Sequence, residues 1–419
     1  MQLSAIDNQT ANRSRVPGDT VPTRRFTVLF LDHTAKWSGG EIALLRTLEA
    51  LDRDRYRAVV ALAADGPFAD RLREIGIETH ILPLSEEMRE VRKGSLGGGG
   101  LAGKFRAAVT FAGYANRIAR FARSIGADLL HCNSLKADIY GALAGRIARI
   151  PVLWHVRDHI DPSYLPAPVV RVFRRLAKSW PQYVLTNSES TRAALFPDGS
   201  GQQRVKAVHD GLSETELTSP PPSAGTEWKN SPPRIGMVGR LVEWKGQHVF
   251  LEAALRLSQS GRRLEFVLIG AALFGEEDYE ARLRQQAEAI RSAGGEVVFT
   301  GFRTDIRERL RDLDIFVHAS ITPEPFGQVV IEAMAEGLPV IGSDGGGVRE
   351  ILRTGETGIL TPMNDAVALG QAIERLLDNP AEAGRLSGAG YAEVRSRFTA
   401  AHNARQVEAA YEEMLGRKA

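Results

Sequence analysis

The segment PEPFGQVVIEAMAEGLPV, Pro323 to Val340, sets two carboxylates, Glu324 and Glu332, eight residues apart around a Pro-Phe-Gly that reads as a helix start. A helix wanted only for packing has no need of Glu324 ahead of its first turn. The segment runs into LPVIGSD (Leu338–Asp344), one of a series of short apolar runs that decides the fold. The series opens with RIGMVGR (Arg234–Arg240) and continues through LEFVLIG (Leu264–Gly270), EVVFTG (Glu296–Gly301) and DIFVHAS (Asp314–Ser320). After Leu338–Asp344 it closes with GILT (Gly358–Thr361). Helix-like sequence separates each run from the next, the pattern of βαβ units and parallel sheets.

The same alternation fills the first half. RFTVLFLDH (Arg25–His33) is followed by a Ser-Gly-Gly-Glu turn and a helix. RAVVALAA (Arg57–Ala64), ETHILPL (Glu78–Leu84), ADLLHC (Ala127–Cys132), PVLWHV (Pro151–Val156), YVLTNS (Tyr183–Ser188) and RVKAVHDG (Arg204–Gly211) complete it. Between the halves lies SETELTSPPPSAGTEWKNSPP (Ser213–Pro233), rich in Pro, Ser and charge, which reads as a linker. The expected organisation is a polar, disordered leader at 1–24, then a doubly wound domain at 25–212. The linker at 213–233 precedes a second such domain at 234–395, and a terminal helix at 396–419 returns to the first. A chain of 419 residues, 43% of them hydrophobic, is too long for one core, which agrees with two domains. In sheets of this kind ligands bind outside the carboxyl ends of the strands, so the loops after strands are where chemistry is expected.

Bulk properties exclude several classes. No apolar run is long enough to span a bilayer, and the leader has no apolar core of a signal peptide. A single cysteine, Cys132, excludes an internal disulfide framework and fits a reducing cytoplasm. The net charge of +2 divides unevenly. Residues 1–220 carry 30 Lys and Arg against 23 Asp and Glu, a net of +7, and the remainder is at −5. The basic half includes a Gly-rich insert, Val91–Arg106, and the basic–apolar stretch Val169–Trp180, a combination suited to an anionic membrane face. With 7% aromatic residues, a nucleic-acid binder is disfavoured.

Gly39 and Gly40 after the first strand would let a ligand approach the backbone where free N–H groups attract an anion, and would equally serve a tight turn. Arg240 and Lys245 flank the loop after the strand at Arg234 and suit a diphosphate. Gly301-Phe302 ends another strand, where Phe302 offers either a wall for a base or a core side chain. His155 ends a strand of the first domain and is expected as a hydrogen-bond donor in the cleft. The His155/His159 spacing would suit zinc only on a helix, and that run is β-like. Two Asp-x-Asp triplets, Asp52–Asp54 and Asp312–Asp314, lie away from the carboxyl edge and read as structural, so no metal is expected.

Together these residues resemble the retaining nucleotide-sugar glycosyltransferases of family 4. The resemblance rests on Gly39-Gly40-Glu41, His155, Gly239-Arg240 with Lys245-Gly246, Gly301-Phe302 and Glu324-x7-Glu332, and covers nearly everything after residue 25. It implies an α/β GT-B architecture, two Rossmann-like domains facing a central cleft. It implies transfer of a hexosyl-type group from a nucleoside-diphosphate sugar to the hydroxyl of a glycan or lipid-linked glycan, without cofactor or metal. Glu324 would hold the donor sugar and Glu332 the ribose. Phe326, Gly327 and Gln328 would open a helix whose N–H groups face the diphosphate, Arg240 and Lys245 would neutralise it, and His155 would position the sugar. A cytoplasmic enzyme of polysaccharide biosynthesis, peripheral to the membrane, is the corresponding expectation. Two other classes share the architecture: a sugar-nucleotide 2-epimerase, which needs acid/base carboxylates at the second sugar carbon and no acceptor site, and a non-catalytic nucleotide-sugar binding protein.

Overall fold

The computed structural model describes residues 24–84, 101–162, 164–200, 204–220, 227–273 and 275–416. Two wholly parallel sheets organise the chain. The first has seven strands in the order β3-β2-β1-β4-β5-β6-β7, from β1 (Phe26–Asp32) through β2 (Tyr56–Leu62), β3 (Glu78–Ile81), β4 (Leu129–Cys132), β5 (Val152–Val156), β6 (Tyr183–Thr186) and β7 (Val205–Ala207). The second has six, in the order β10-β9-β8-β11-β12-β13. These are β8 (Arg234–Val238), β9 (Glu265–Ile269), β10 (Glu296–Phe299), β11 (Ile315–His318), β12 (Val340–Ser343) and β13 (Ile359–Thr361). Each of the thirteen apolar runs of the sequence contains one strand. The central ones read as continuous runs because helices cover both faces and nearly all of their residues are buried.

Strand order reverses between β1 and β4 in one sheet and between β8 and β11 in the other. At such a reversal the crossing helices go to opposite faces and leave a crevice at the carboxyl ends. The loops after β1, β4, β8 and β11 therefore belong to the two crevices.

The chain passes between the domains twice, side by side. Leu212 pairs with Thr399 in an isolated parallel bridge, its N–H donating to Phe398 O (2.9 Å) while Ala400 N–H donates to Leu212 O (2.7 Å). Beyond Thr399 the Ala400–Gly416 helix packs on the first domain, with Val407, Ala410, Tyr411 and Met414 among Leu44, Leu48 and Tyr56. The described parts of 213–233 are tied down. Ser213 and Glu216 form a reciprocal cap on a short 3₁₀ turn, and Asp314 accepts from the backbone of Lys229 (2.8 Å) and Arg234 (2.8 Å). Asp314 thus stitches the incoming chain to its sheet, and Asp52 accepts from the N–H groups of Asp54 and Arg55 in a turn, so both Asp-x-Asp triplets are occupied structurally.

The Ala167–Ala177 helix turns Val170, Phe173 and Ala177 inward, and Val172, 57% exposed, is its one large apolar side chain at the surface. Its apolar residues are thus largely spent on the core. The side chains of the basic insert Val91–Arg106 lie outside the described residues. Among those described, no helix is long and apolar enough to cross a membrane.

Candidate active site

The centre of the site is a buried charge. After β11 the chain runs through Ser320 to Glu324, whose Oε1 lies 2.6 Å from Lys245 Nζ and 2.9 Å from His318 Nε2; the Ser320 hydroxyl donates to the same oxygen. Burial alone would push the Glu324 carboxyl up, but Lys245 and His318 beside it hold it well below the usual carboxylate range. Lys245 arrives from the loop after β8. That loop reaches β11 because Gly246, at φ 74°, lies where a Cβ would stand 1.9 Å from Ala319 O. Lys245 also lies over the Trp244 ring, 4.5 Å from its centroid.

A third loop closes on the same carboxylate. Gly345-Gly346-Gly347 follows β12, and a Cβ on Gly346 (φ 63°) would stand 2.1 Å from Glu324 O. Gly347 N–H donates to that carbonyl at 2.9 Å. The Glu324 backbone is thereby held on one side by the triple glycine and its side chain on the other by the β8 and β11 loops. The sequence reading passed over His318, Ser320 and this triple glycine, although HAS at a strand end three residues before the Glu-Pro-Phe-Gly and an uninterrupted Gly-Gly-Gly after a strand were visible signals.

Glu332 has a different environment. The Gln328–Ala335 helix carries it against the first domain, where Arg46 Nη2 donates to Glu332 Oε1 at 2.7 Å. Arg46, buried in the Gly39–Ala50 helix, also donates to Gln328 Oε1 (3.0 Å) and through Nε to Glu216 Oε2 (2.8 Å). Gln328 Nε2 donates to Gly39 O (2.8 Å), so the starts of the two helices are clasped together. Elsewhere along the cleft Ser188 donates to Pro325 O, and Glu350 accepts from the N–H groups of Glu189 (2.9 Å) and Ser190 (2.8 Å) and pairs with His209 (2.7 Å). The domains are closed on each other.

One expected role is corrected, that of His155. His155 is fully buried, Nδ1 against His131 Nε2 (3.2 Å), and burial, with Arg157 and His131 nearby, depresses it well below the ordinary histidine range. It lies beneath the cleft, because Tyr411 of the terminal helix covers His131 on that face (2.6 Å). Arg157, two residues on, takes the strand-end position: Nε donates to Asn133 Oδ1 (3.0 Å), Nη1 to Asp210, and its Cδ would be 3.9 Å from a Cβ on Gly40. The Phe326 side chain is likewise buried, 5.6 Å from the His209 ring and 5.9 Å from Phe398, so it anchors the helix start whose N–H groups were expected to face the diphosphate.

The remaining expected residues are at the cleft edge. Gly39 and Gly40 begin their helix opposite Gln328 and Arg157. Gly301 is in the left-handed region at φ 71°, and Phe302 beside it is 62% exposed, which excludes the core alternative. Gly327, at φ 108°, leads into Gln328. Arg240 is close enough to Tyr164 of the first domain to oppose the upward push that burial gives the phenol. Among the described residues no group of three or more His, Cys, Asp or Glu side chains is placed to hold a metal ion. A cavity of about 450 Å³ lies far from this site, at the amino edge of the first sheet between Arg146, Trp180, Arg204 and Met414.

Comparison with known proteins places this geometry. Residues 38–211 match the family model "Glycosyl transferase 4-like domain", and residues 223–393 match "Glycosyl transferases group 1". The chain is 28% identical over 298 residues to the phosphatidyl-myo-inositol mannosyltransferase of Mycobacterium leprae, covering 68% of this chain and 73% of the relative. It is 28% identical over 346 residues to a GDP-mannose-dependent alpha-mannosyltransferase of Mycobacterium tuberculosis, covering 78% and 81%. The crystal structure of Anabaena HepE in complex with UDP and glucose superposes with a TM-score of 0.77 at 28% identity, over 93% of this chain and all of that one.

Proposed function

The chain belongs to family 4 of the retaining glycosyltransferases, with the GT-B fold, and on that premise we propose how its cleft acts. The donor is a nucleoside-diphosphate sugar and the acceptor a hydroxyl of a glycan or lipid-linked glycan. The observation that carries this reading is the Lys245–Glu324 pair, a cation and a carboxylate 2.6 Å apart at the carboxyl edge of β8 and β11, where the sheet order reverses. The complex of a structural relative with UDP and glucose and the lipid named for the mycobacterial mannosyltransferase support the two substrate classes.

Glu324 would accept hydrogen bonds from the donor sugar. Arg240, Lys245 and the N–H groups opening at Gly327-Gln328 would face the diphosphate. The bond from the anomeric carbon to the diphosphate oxygen breaks as the acceptor oxygen approaches on the same face, and the departing phosphate takes the acceptor's proton. Negative charge growing on that phosphate is what the two cations stabilise. Glu332 would exchange Arg46 for, or share it with, the ribose hydroxyls. With the cations in that place no metal is required. The buried, reduced Cys132 fits a cytoplasmic enzyme, and the +7 charge of the first half favours an anionic membrane face through electrostatics alone.

The test is turnover of UDP-, GDP- and ADP-sugars with glycan and lipid-linked acceptors. Lys245→Ala and Arg240→Ala should each lose on the order of 10²–10³ in rate while remaining folded. Wild-type turnover should survive excess EDTA. Activity lost in EDTA and restored by magnesium would refute the charge assignment, and nucleotide release without a glycosylated product would favour the epimerase.

A further inference from the structure

Lys245 faces two demands. It neutralises Glu324 at 2.6 Å, and as a diphosphate cation it must turn toward the donor. Its departure would weaken the hold on a buried carboxylate, a change that costs so much in a protein interior that the lysine would stay where it is. Something else must hold the Glu324 charge when the donor arrives.

We propose that His318 is the positioning residue that holds Glu324 in place and so releases Lys245 to the donor diphosphate. The inference rests on the reading of Lys245 given above. All three described partners of Glu324, Lys245, His318 and Ser320, converge on Oε1, so one oxygen is the anchored one and Oε2 is left for the sugar. His318 is itself fixed. It ends β11, buried, with its carbonyl accepting from the Ser343 hydroxyl of β12 (3.2 Å). Its ring faces the carboxylate through Nε2 at 2.9 Å, while Nδ1 is buried without a partner. Nδ1 has no hydrogen bond to satisfy, Nε2 is closer to the carboxylate than to the Ser320 hydroxyl (3.4 Å), and Nε2–H is the proton that Glu324 can use. Ser320 supplies a second donor from the same loop. With both in place Glu324 keeps two hydrogen bonds when the ammonium swings away; without His318 it keeps one.

On this reading His318 acts through Glu324 and not on the diphosphate, so a merely structural role predicts no change in nucleotide affinity from a folded variant. The experiment is calorimetric binding of the tighter of UDP and GDP to wild type, His318→Leu, His318→Gln, His318→Asn, Lys245→Ala and the His318→Leu/Lys245→Ala double variant. His318→Leu should weaken binding about tenfold or more, the factor expected for loss of a hydrogen bond to a buried charge. His318→Gln, whose amide can reach Oε1, should recover most of the affinity, and the double variant should bind no worse than Lys245→Ala. If His318→Leu fails to fold, the comparison passes to the two amides: His318→Asn falls short of Oε1 and should bind about tenfold more weakly than His318→Gln. Wild-type affinity in His318→Leu, or equal affinity in the two amides, alongside weak binding by Lys245→Ala would overturn the inference and leave the function standing. Wild-type affinity in Lys245→Ala would overturn the diphosphate role of Lys245 and the inference with it.

Discussion

Replacing Arg46 with methionine should open the unliganded protein. The guanidinium bridges Gln328 and Glu332 of the second domain to Glu216 of the crossing segment, and methionine keeps the apolar stem while removing every donor. Breaking a buried pair by removing one partner costs roughly 3–5 kcal/mol where the orphaned charge cannot escape. Here it can escape. The carboxylates of Glu216 and Glu332 keep 24% and 17% of their side-chain surface, and parting the domains would rehydrate both. The penalty on the closed form is therefore about 1–3 kcal/mol, a shift of roughly 5- to 150-fold toward the open form. Small-angle scattering of Arg46→Met without donor should give a larger radius of gyration than wild type, and saturating nucleotide sugar should return it toward the closed value. Arg46→Lys, a point charge that cannot serve three acceptors with fork geometry, should fall between. Superimposable scattering curves from folded wild type and Arg46→Met would refute the clasp as a determinant of closure.

Three further outcomes follow from the first domain and the cleft edge. Burial and the neighbouring Asp32 raise Glu41 to about 7, so the folded state holds its proton over a range in which the unfolded state has released it; stability should fall between about pH 4.5 and 7, and Glu41→Gln should flatten that slope in thermal melts. Burial lowers His131 to about 3, so its contribution runs the other way: present above the unfolded value near 6.5, it is lost as pH falls below that value, and His131→Phe should lessen acid lability in the same melts. Phe302→Ala should leave the melting temperature unchanged because the ring is exposed, yet raise the donor KM about two- to tenfold if the ring stacks on a base; an unchanged KM would remove Phe302 from the site.

What was legible in the sequence was what local chemistry determines. Thirteen parallel strands, the central ones buried, announce themselves as apolar runs, and the order of the runs gives two doubly wound domains. Glu324 and the Lys245-Gly246 turn were legible because a carboxylate before a helix start and a cation before a left-handed glycine have little local use. What was not legible depended on distant chain. Whether a strand-end side chain enters the cleft or lies beneath it is decided by what covers it, and for His155 the answer comes from its contact with His131 and from Tyr411 on the terminal helix. That the Phe326 side chain anchors the helix start shows only when His209 and Phe398 are seen around it. Arg46 looks like an ordinary helix arginine until closure brings Glu332 to it. These three cases share a cause. The sequence marks the carboxyl edges of both sheets, but which residues act there is fixed by the segments that cross between the domains. Leu212 and Thr399 pair at that crossing, and the bridge sets the terminal helix, with Tyr411 against His131, on the first domain.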